Sequence, residues 1–446
     1  MDRWYEQVEQ TGYCARPVRL HGQIHHIDPQ TGEAREVYST DDEPDGVLLK
    51  ACGNRRASRC PSCSQTYRRD AFHVVASGLR GGKGIPETVR GHPCMFATFT
   101  APSFGPVHTR RERRSRVRPC RPRHRQPLCP HGRPAWCFRR HPPDDPELGR
   151  PLCPKCFDYD AQVLWNATAP ELWRRTTIYL RRALARQLDT SPTTLGRLIR
   201  VSYAKVAEYQ ARGAIHFHAV IRLDAASEGF APPPPAFTTD LLARAIRDAV
   251  QAVAVPLPQL GDGPARLARW GSQLDLRPIH ADGELTAEAV AGYIAKYATK
   301  ATEDFGPALD RRLSDHQIDT LPVEPHVREL VRACWRLGSH PTLKHLRLRQ
   351  WAHMLGFRGH WQTKSRRYSI TLTSIRRARA EYGRRRRLGD TVPLDAWGRE
   401  LDQAAVIVLA EWSYAGIGYR TLGDAWLAES AAAWAREQRQ AAHDAA

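Results

Sequence analysis

Two tyrosines and two lysines share the segment of residues 293–300, which reads YIAKYATK. Residues four apart project from one face of a helix, so the phenols of Tyr293 and Tyr297 are expected side by side, as are the amines of Lys296 and Lys300. A tyrosine oxygen can attack a phosphodiester, which gives a 5′-phosphotyrosine and a free 3′ hydroxyl. A nearby lysine can stabilise the phenolate or the charge on the attacked phosphate. We therefore predict that these four residues are catalytic; the alternative is a helix that simply buries its tyrosines.

Two histidines alternate with apolar residues in the segment 214–221, AIHFHAVI. Alternation predicts a strand, with His216 and His218 on one face. If residues 211–213 form a three-residue hairpin loop with Gly213 left-handed, Glu208 lies opposite His216 and shares that face. A two-residue loop would place it on the other face, and Gln210 is the reserve ligand. Two imidazoles and a carboxylate suit Mg²⁺ or Mn²⁺, the predicted catalytic cofactor.

The elements that must position these groups follow from the spacing of apolar residues. The segment 96–100 alternates as a strand does, and Thr286 is a suitable N-cap for the tyrosine helix. Together the patterns predict an α+β fold. The predicted helices cover residues 72–79, 169–188, 239–253 and 285–303, and the predicted strands cover 96–100, 199–210, 214–223 and 274–279.

Eleven cysteines are present, and in a cytosolic chain they should be reduced and available to metals. Two CPxC turns, at residues 60–63 and 153–156, have the spacing of zinc knuckles. The chain is therefore expected to bind structural Zn²⁺. The predicted ligands are Cys52, Cys60, Cys63, Cys129, Cys137, Cys153 and Cys156.

The pairing of these ligands stays open. The last four could complete a four-cysteine site alone, whereas the first three need a fourth ligand from His73, Cys14 or Cys94. A swapped arrangement, with both CPxC turns on one ion, is equally possible. His131 is an outside candidate, and Cys120 and Cys334 have no assigned role.

The charge of the chain points to a polyanion. Lysine and arginine number 67 against 47 acidic residues, which gives a net charge of +20 and a pI near 9.8. Nine arginines fall within residues 110–125 and seven within 376–387. Clustered charge of this kind favours contacts to DNA phosphates. The predicted DNA-binding residues are Arg110, Arg113, Arg114, Arg116, Arg118 and, among the aromatic residues of 347–361, Arg358.

Other classes of protein are disfavoured. The mean hydropathy is −0.54, and no apolar run reaches the length of about eighteen residues that a membrane helix needs. The first residues lack the pattern of a signal peptide, so we expect a cytoplasmic protein without a membrane partner. The segment 81–84, GGKG, is not a Walker A loop, so any unwinding of DNA would need a host helicase.

The three motifs together resemble those of the HUH endonucleases. The strand at 96–100 looks like their first motif, His216-Phe217-His218 like their second, and residues 293–300 like their third, in the same order along the chain. More widely, the chain is similar to replication initiators of actinobacterial plasmids and integrative elements. That likeness includes the segments 60–63, 91–94, 164–173 and 353–357.

The resemblance implies a central antiparallel sheet flanked by helices, in which the histidine strand and the tyrosine helix face each other. It implies origin-specific nicking and joining through a 5′-phosphotyrosine, which initiates rolling-circle replication. The partners would be plasmid origin DNA, single-stranded DNA, and a host helicase and polymerase. The order in which Tyr293 and Tyr297 act does not carry over. The alternatives are a two-tyrosine HUH transposase and a non-catalytic, zinc-containing DNA-binding regulator.

We expect four regions along the chain. Residues 1–50 form an irregular segment. Residues 51–160 hold the zinc ligands, the first endonuclease strand at 94–101 and an arginine-rich insertion. Residues 161–310 form the endonuclease core, and residues 311–446 form a basic, helical C-terminal region.

Overall fold

The computed structural model describes residues 2–122, 128–227, 229–259, 266–280, 285–300, 302, 305–388 and 406–444. The helices are α1 Asp2–Gln10, α2 Pro61–Arg80, α3 Tyr159–Gln187, α4 Pro192–Leu198, α5 Thr239–Ala252, α6 Ala287–Ala298, α7 Pro325–Gly338, α8 Leu372–Leu388 and α9 Leu422–Asp444. The strands are β1 Val18–Ile27, β2 Ala34–Ser39, β3 Leu48–Lys50, β4 Cys94–Phe99, β5 Arg111–Arg113, β6 Arg116–Arg118, β7 Ile199–Tyr209, β8 Ile215–Ala225, β9 Val255–Pro256, β10 Leu267–Ala268, β11 Leu274–Pro278, β12 Gln362–Lys364 and β13 Ile407–Ile417.

The chain folds into two compact units. The terminal unit combines Met1–Ala71 with Thr371–Ala446, and the central unit is Phe72–Ile370. This division differs from the four consecutive regions that we expected. Sequence patterns could not predict that the two ends of the chain form one unit, because the strands that pair to form it, β1 and β13, are almost 400 residues apart.

The terminal unit is built on a four-stranded antiparallel sheet. Strand β1 pairs with β13 along its whole length, from Val18 opposite Ile417 to Ile27 opposite Ile407, and also with β2 and β3. The prediction of an irregular segment over 1–50 is therefore wrong. In the region 311–446, α7, α8 and α9 are helical as predicted, whereas β12 and β13 are strands. The β-branched and aromatic residues of 407–417 favour a strand, and pairing with β1 satisfies their backbone groups as a ladder.

The central unit contains a five-stranded antiparallel sheet in the order β11-β4-β8-β7-β12. This confirms the prediction of an α+β fold with a central antiparallel sheet. One face of β8 packs on α3, where Phe217 meets Trp173 at 6.0 Å between ring centroids. Helix α3 begins at Tyr159, ten residues before its predicted start, because Asp158 caps it and Pro170 is accommodated inside it.

The hairpin between β7 and β8 fixes the register of the histidine strand. Tyr209 pairs with Ile215, and the loop of residues 211–213 carries Gly213 at φ +77°. An added Cβ at Gly213 would lie 2.7 Å from Leu330 Cδ1, so both the backbone angle and the available space require glycine. Glu208 consequently lies opposite His216, as the three-residue loop predicts.

Helix α6 covers the other face of β8. Its N-cap is Thr286, whose side chain accepts a hydrogen bond from the Ala289 amide, as expected. The helix ends at Ala298 rather than at residue 303. Its last turn tightens where the Tyr297 carbonyl accepts hydrogen bonds from the Lys300 amide and from the Trp361 indole at 2.7 Å. Because of this cover, β8 is buried on both faces.

None of the helices in the described ranges is both long enough and apolar enough to cross a membrane.

Candidate active site and metal-ligand clusters

Glu208 and the two histidines converge on one point of the sheet. Glu208 Oε2 lies 3.0 Å from His216 Nε2 and 2.7 Å from His218 Nε2. The hairpin register brings the carboxylate across from His216, and the pleat puts His218 on the same face. Gln210, the reserve ligand, instead accepts hydrogen bonds from Arg212.

Neighbouring side chains orient the His218 ring. Thr98 pairs with His218 across β4 and β8, and its hydroxyl lies 3.0 Å from Nδ1, which leaves Nε2 to face Glu208. Phe96 stacks on the ring with an interplanar angle of 10°. Since His218 is only 3% exposed, these contacts hold the ring in one orientation.

The protonation states of Glu208 and His218 suit a cation. Burial lowers the pKa of His218 and outweighs the opposing effect of Glu208, which favours the neutral imidazole. Burial alone would raise the pKa of Glu208, but the hydrogen bonds from the two histidines outweigh it and lower that pKa to about 2. Two histidine nitrogens and one carboxylate oxygen within 4.8 Å of one another form a donor set that fits Mn²⁺ or Mg²⁺.

Both tyrosines of α6 lie over this donor set. The Tyr293 hydroxyl is 3.3 Å from His218 Nε2, and the Tyr297 ring stacks on the His218 ring with centroids 5.7 Å apart. The two phenol rings are 4.7 Å apart, so their spacing of four residues does place them side by side. Tyr293 is 37% exposed, which leaves its side chain accessible from solvent.

Both phenols are neutral at ordinary pH. Burial raises the pKa of Tyr293 well above its usual value, and the negative charge of Glu208 adds to the effect. Burial also raises the pKa of Tyr297, again with a contribution from Glu208. Either phenol therefore needs added positive charge before it can lose its proton.

The two lysines lie beside Tyr297. Lys296 Nζ is 5.7 Å and Lys300 Nζ is 5.9 Å from the centroid of its ring. Lys296 is exposed and Lys300 is half-buried. Both amines therefore lie at the rim of the site, next to Tyr297.

The predicted DNA-binding arginines occupy a surface hairpin. Strands β5 and β6 pair antiparallel around a two-residue turn in which Arg114 and Ser115 both have positive φ, the type I′ geometry of tight hairpins. The hairpin side chains of Arg113, Arg114, Arg116 and Arg118 are exposed. Arg110 contacts Glu112 and lines a cleft together with Arg121 and Arg212 of the β7–β8 loop. Arg123 and Arg125 of this run lie outside the described residues.

The remaining basic residues have mixed roles. Arg358 is exposed and donates to the His345 carbonyl at 2.7 Å. Of the run at 376–387, Arg376 and Arg379 pair with the buried Asp70, so part of it stabilises the terminal unit.

The first cysteine group is completed by Cys14. Its thiol lies 3.7 Å from that of Cys60, and the same distance separates Cys52 from Cys63. Bond lengths of about 2.3 Å to sulfur would place two ligands of a tetrahedral zinc ion about 3.8 Å apart. His73 and Cys94 are not part of the cluster, and the two CPxC turns do not share an ion-sized site.

The second group contains a histidine. Cys129, Cys153 and Cys156 gather with His131, whose Nδ1 lies 3.2 Å from Cys156 Sγ. A site of Cys129, Cys137, Cys153 and Cys156 alone is therefore wrong. Backbone hydrogen bonds between Arg121 and Cys137 hold Cys137 elsewhere, next to Cys120.

Cys137 belongs to a third cluster, with His108, Cys120 and His141. We did not expect His108 or His141 as ligands. The spacing Cys137-x3-His141 is the local signal that could have identified His141.

Comparisons with known proteins agree along nearly the whole chain. The family model RepSA, described as "Replication initiator protein, pSAM2", matches residues 1–433. A replication initiator protein of Streptomyces ambofaciens is 47% identical over 451 residues, which cover 99% of this chain and 92% of that protein. No solved structure matches the chain. The protein therefore belongs to the RepSA family of replication initiator proteins.

Proposed function

We propose that this replication initiator is an HUH-type endonuclease, which nicks one strand of origin DNA through a tyrosine and so starts rolling-circle replication. The observation that supports this most is the 3.3 Å separation of the Tyr293 hydroxyl from His218 Nε2, at the point where Glu208 contacts both histidines. A nucleophile and a cation-binding donor set are thereby held on the same side of one strand.

The reaction exchanges one phosphate ester for another. The phenol oxygen of Tyr293 or Tyr297 bonds to phosphorus, and the bond from phosphorus to the 3′ oxygen of the preceding nucleotide breaks. The phenol proton ends on that oxygen through solvent. The 5′-phosphotyrosine retains the ester, so a 3′ hydroxyl can later reverse the step and rejoin the strand.

Glu208, His216 and His218 are the residues that would hold Mn²⁺ or Mg²⁺. When bound there, the ion would supply positive charge beside the scissile phosphate and favour the phenolate. The chain itself contributes the orientation: Thr98 and Phe96 fix the His218 ring, and α6 fixes both phenols. Lys296 and Lys300 add positive charge next to Tyr297.

The arginine hairpin and the cleft beside the β7–β8 loop offer a path for DNA. Arg110, Arg121 and Arg212 line that cleft within the central unit. Phosphate contacts of this kind fix the position of a strand without reading its sequence. The released 3′ hydroxyl would then prime a host polymerase, while a host helicase unwinds the template.

A covalent adduct is the direct test. The full chain is incubated with Mn²⁺ and a labelled single-stranded oligonucleotide that spans the replication origin of its own element, and the products are separated in SDS. We expect an SDS-resistant adduct that disappears with EDTA, with His216→Ala, and with Tyr293→Phe combined with Tyr297→Phe. Tyr382→Phe, which changes an exposed tyrosine outside the site, is the matched control and should leave the adduct unchanged.

The single variants assign the nucleophile, because whichever substitution removes the adduct identifies the attacking phenol. If the double tyrosine variant still forms the adduct, the assigned nucleophiles are wrong. If the wild-type chain binds the oligonucleotide tightly but never forms an adduct, the non-catalytic regulator is the better description.

A further inference from the structure

The cluster of His108, Cys120, Cys137 and His141 has the dimensions of a metal site. His108 Nδ1 lies 3.3 Å from His141 Nε2, and Cys137 Sγ lies 3.6 Å from the same nitrogen. All four ligand atoms fall within 4.8 Å of one another. Cys120 and His141 are each only 1% exposed, so these polar groups are gathered in a buried position.

These distances match the edges of a tetrahedron around zinc. Bonds of about 2.0–2.1 Å to nitrogen and about 2.3 Å to sulfur place two nitrogens about 3.3–3.4 Å apart and a nitrogen and a sulfur about 3.6 Å apart. Two cysteines and two histidines leave no open position, which is the composition of a structural site rather than a catalytic one.

An outer carboxylate orients one of the ligands. His141 Nδ1 lies 2.8 Å from Asp145 Oδ2, so its Nε2 is the nitrogen that faces the cluster. Asp145 is itself held by Arg139 at 3.2 Å and by the Glu147 amide at 2.9 Å. A carboxylate on the far nitrogen of a histidine is the usual partner of a metal-bound imidazole.

The cluster lies at the base of the arginine hairpin. His108 precedes strand β5 by three residues and Cys120 follows β6 by two, so the two ligands flank both ends of the hairpin. The Thr109 amide donates to Cys120 Sγ at 3.2 Å, and the Cys120 amide donates to the Arg139 carbonyl at 2.9 Å. An ion bound here would tie the two ends of the hairpin to each other and to residues 137–141.

We propose that His108, Cys120, Cys137 and His141 bind a structural zinc ion, separate from the two cysteine-rich clusters, that clamps the base of the arginine hairpin. The binding of zinc does not depend on the nicking activity. Only its consequence for DNA rests on the proposed function, because the clamp would hold the hairpin arginines in place for phosphate contacts.

The first test counts zinc in the purified full chain by elemental analysis and native mass spectrometry. Cys120→Ser combined with Cys137→Ser should contain one zinc ion fewer than the wild type. Cys94→Ser combined with Cys334→Ser removes two other buried cysteines, neither of which is in a ligand cluster, and should keep the wild-type count. An unchanged zinc count in the first variant overturns the proposal.

A substitution of one ligand by another separates the loss of zinc from misfolding of the chain. His108→Cys keeps four ligands, so the zinc count should equal that of the wild type, and the Co²⁺-substituted protein should show a stronger thiolate-to-cobalt absorption band. Asp145→Asn should retain the ion but lose it to a chelator about 10–100 times more readily. If His108→Cys leaves the cobalt band unchanged, His108 does not ligate the metal and the site is not as proposed.

Hydrogen exchange separates this inference from the proposed function. Loss of the ion should increase amide exchange in residues 109–120 and weaken the binding of DNA, whether or not an adduct forms on Tyr293 or Tyr297. Exchange in the hairpin that stays at the wild-type level in the double cysteine variant would show that no clamp exists.

Discussion

At the scale of single residues, His218 is the group on which the candidate site depends. Its Nδ1 contacts Thr98, while its Nε2 faces both Glu208 and the Tyr293 hydroxyl. One ring therefore links the strand that orients it, the carboxylate that would share a cation with it, and the proposed nucleophile. Each of these contacts uses a different atom or direction, so they can be tested one at a time.

Thr98→Val should weaken the binding of the proposed catalytic ion without unfolding the sheet. Valine keeps the shape of threonine but removes the hydroxyl that fixes the His218 ring, and loss of such an outer contact costs about 10–100-fold in metal affinity. The measurement is the Mn²⁺ concentration that gives half-maximal adduct formation, with the binding of DNA in EDTA as the control. An unchanged Mn²⁺ requirement would mean that Thr98 does not position His218.

Lys205 lies on the face of the sheet that points away from the candidate site. Its buried charge affects the stability of the fold. It is 4% exposed, its Nζ is 4.1 Å from the centre of the Phe217 ring, and burial lowers its pKa to about 7. In the unfolded chain lysine titrates near 10.4, so between about pH 7 and 10.4 the unfolded state binds more protons and stability rises with pH. Below about pH 7 the cost of the buried charge is constant and at its largest.

Lys205→Met should therefore stabilise the central unit, most strongly below pH 7 and hardly at all near pH 10.4. One unit of pKa corresponds to about 1.4 kcal/mol, so a rise of about 2 °C or more in melting temperature is expected at pH 6. Lys344→Met, at an exposed lysine, is the control and should change little. If the stabilisation does not depend on pH, it does not come from removal of the buried charge of Lys205.

At the scale of elements, the β7–β8 hairpin and helix α6 assemble the site. The hairpin loop sets which residue faces His216, and the capped start of α6 sets which face carries the phenols. Both features are encoded locally in the sequence. The hairpin loop is marked by a glycine after two loop residues, and the start of α6 is marked by a threonine before the helix. The end of α6 is different, because it is closed by the indole of Trp361, which is 64 residues away from Tyr297.

Gly213→Ala should disturb the site through the hairpin. Alanine in the left-handed region costs about 1–2 kcal/mol, and its Cβ would also collide with Leu330. We expect a lower melting temperature together with a higher Mn²⁺ requirement, because the register of Glu208 against His216 is strained. Gly196→Ala in helix α4, where an added Cβ has no atom within 4 Å, should be neutral or slightly stabilising. Equal effects of the two substitutions would rule out this role for the loop.

At the scale of the whole molecule, the net charge of +20 makes the binding of DNA strongly dependent on salt. We expect the affinity for DNA to depend on where the charges lie as well as on the net charge. Some arginines serve the fold, as Arg376 and Arg379 do on Asp70, whereas those of the β5–β6 hairpin are exposed. Two variants with the same net charge can therefore differ in their affinity for DNA.

Arg113→Ala combined with Arg116→Ala should flatten the dependence of DNA affinity on salt. Each phosphate contact that is lost makes the slope of log affinity against log salt less negative by about 0.7–0.9. Arg244→Ala combined with Arg247→Ala removes two exposed arginines from helix α5 and the same charge, and should leave the slope nearly unchanged. Equal slopes for the two variants would mean that only total charge counts and that the hairpin does not contact DNA.

The sequence alone determined the parts of the candidate site that depend on neighbours along the chain, although it missed local features elsewhere, such as α1 and the start of α3. Strand alternation put both histidines on one face, the three-residue loop put Glu208 opposite His216, and helical spacing put Tyr293 beside Tyr297. Tertiary structure decided what depends on contacts between distant segments. It selected Cys14 from three candidates, joined Cys137 to His108 rather than to Cys129, and paired β1 with β13. The reason is physical. Local backbone geometry fixes the side-chain direction and the strand register over a few residues. Metal-ligand sets and sheet partners depend instead on packing between segments that are distant in the chain, and the spacing of residues in the sequence does not record that packing.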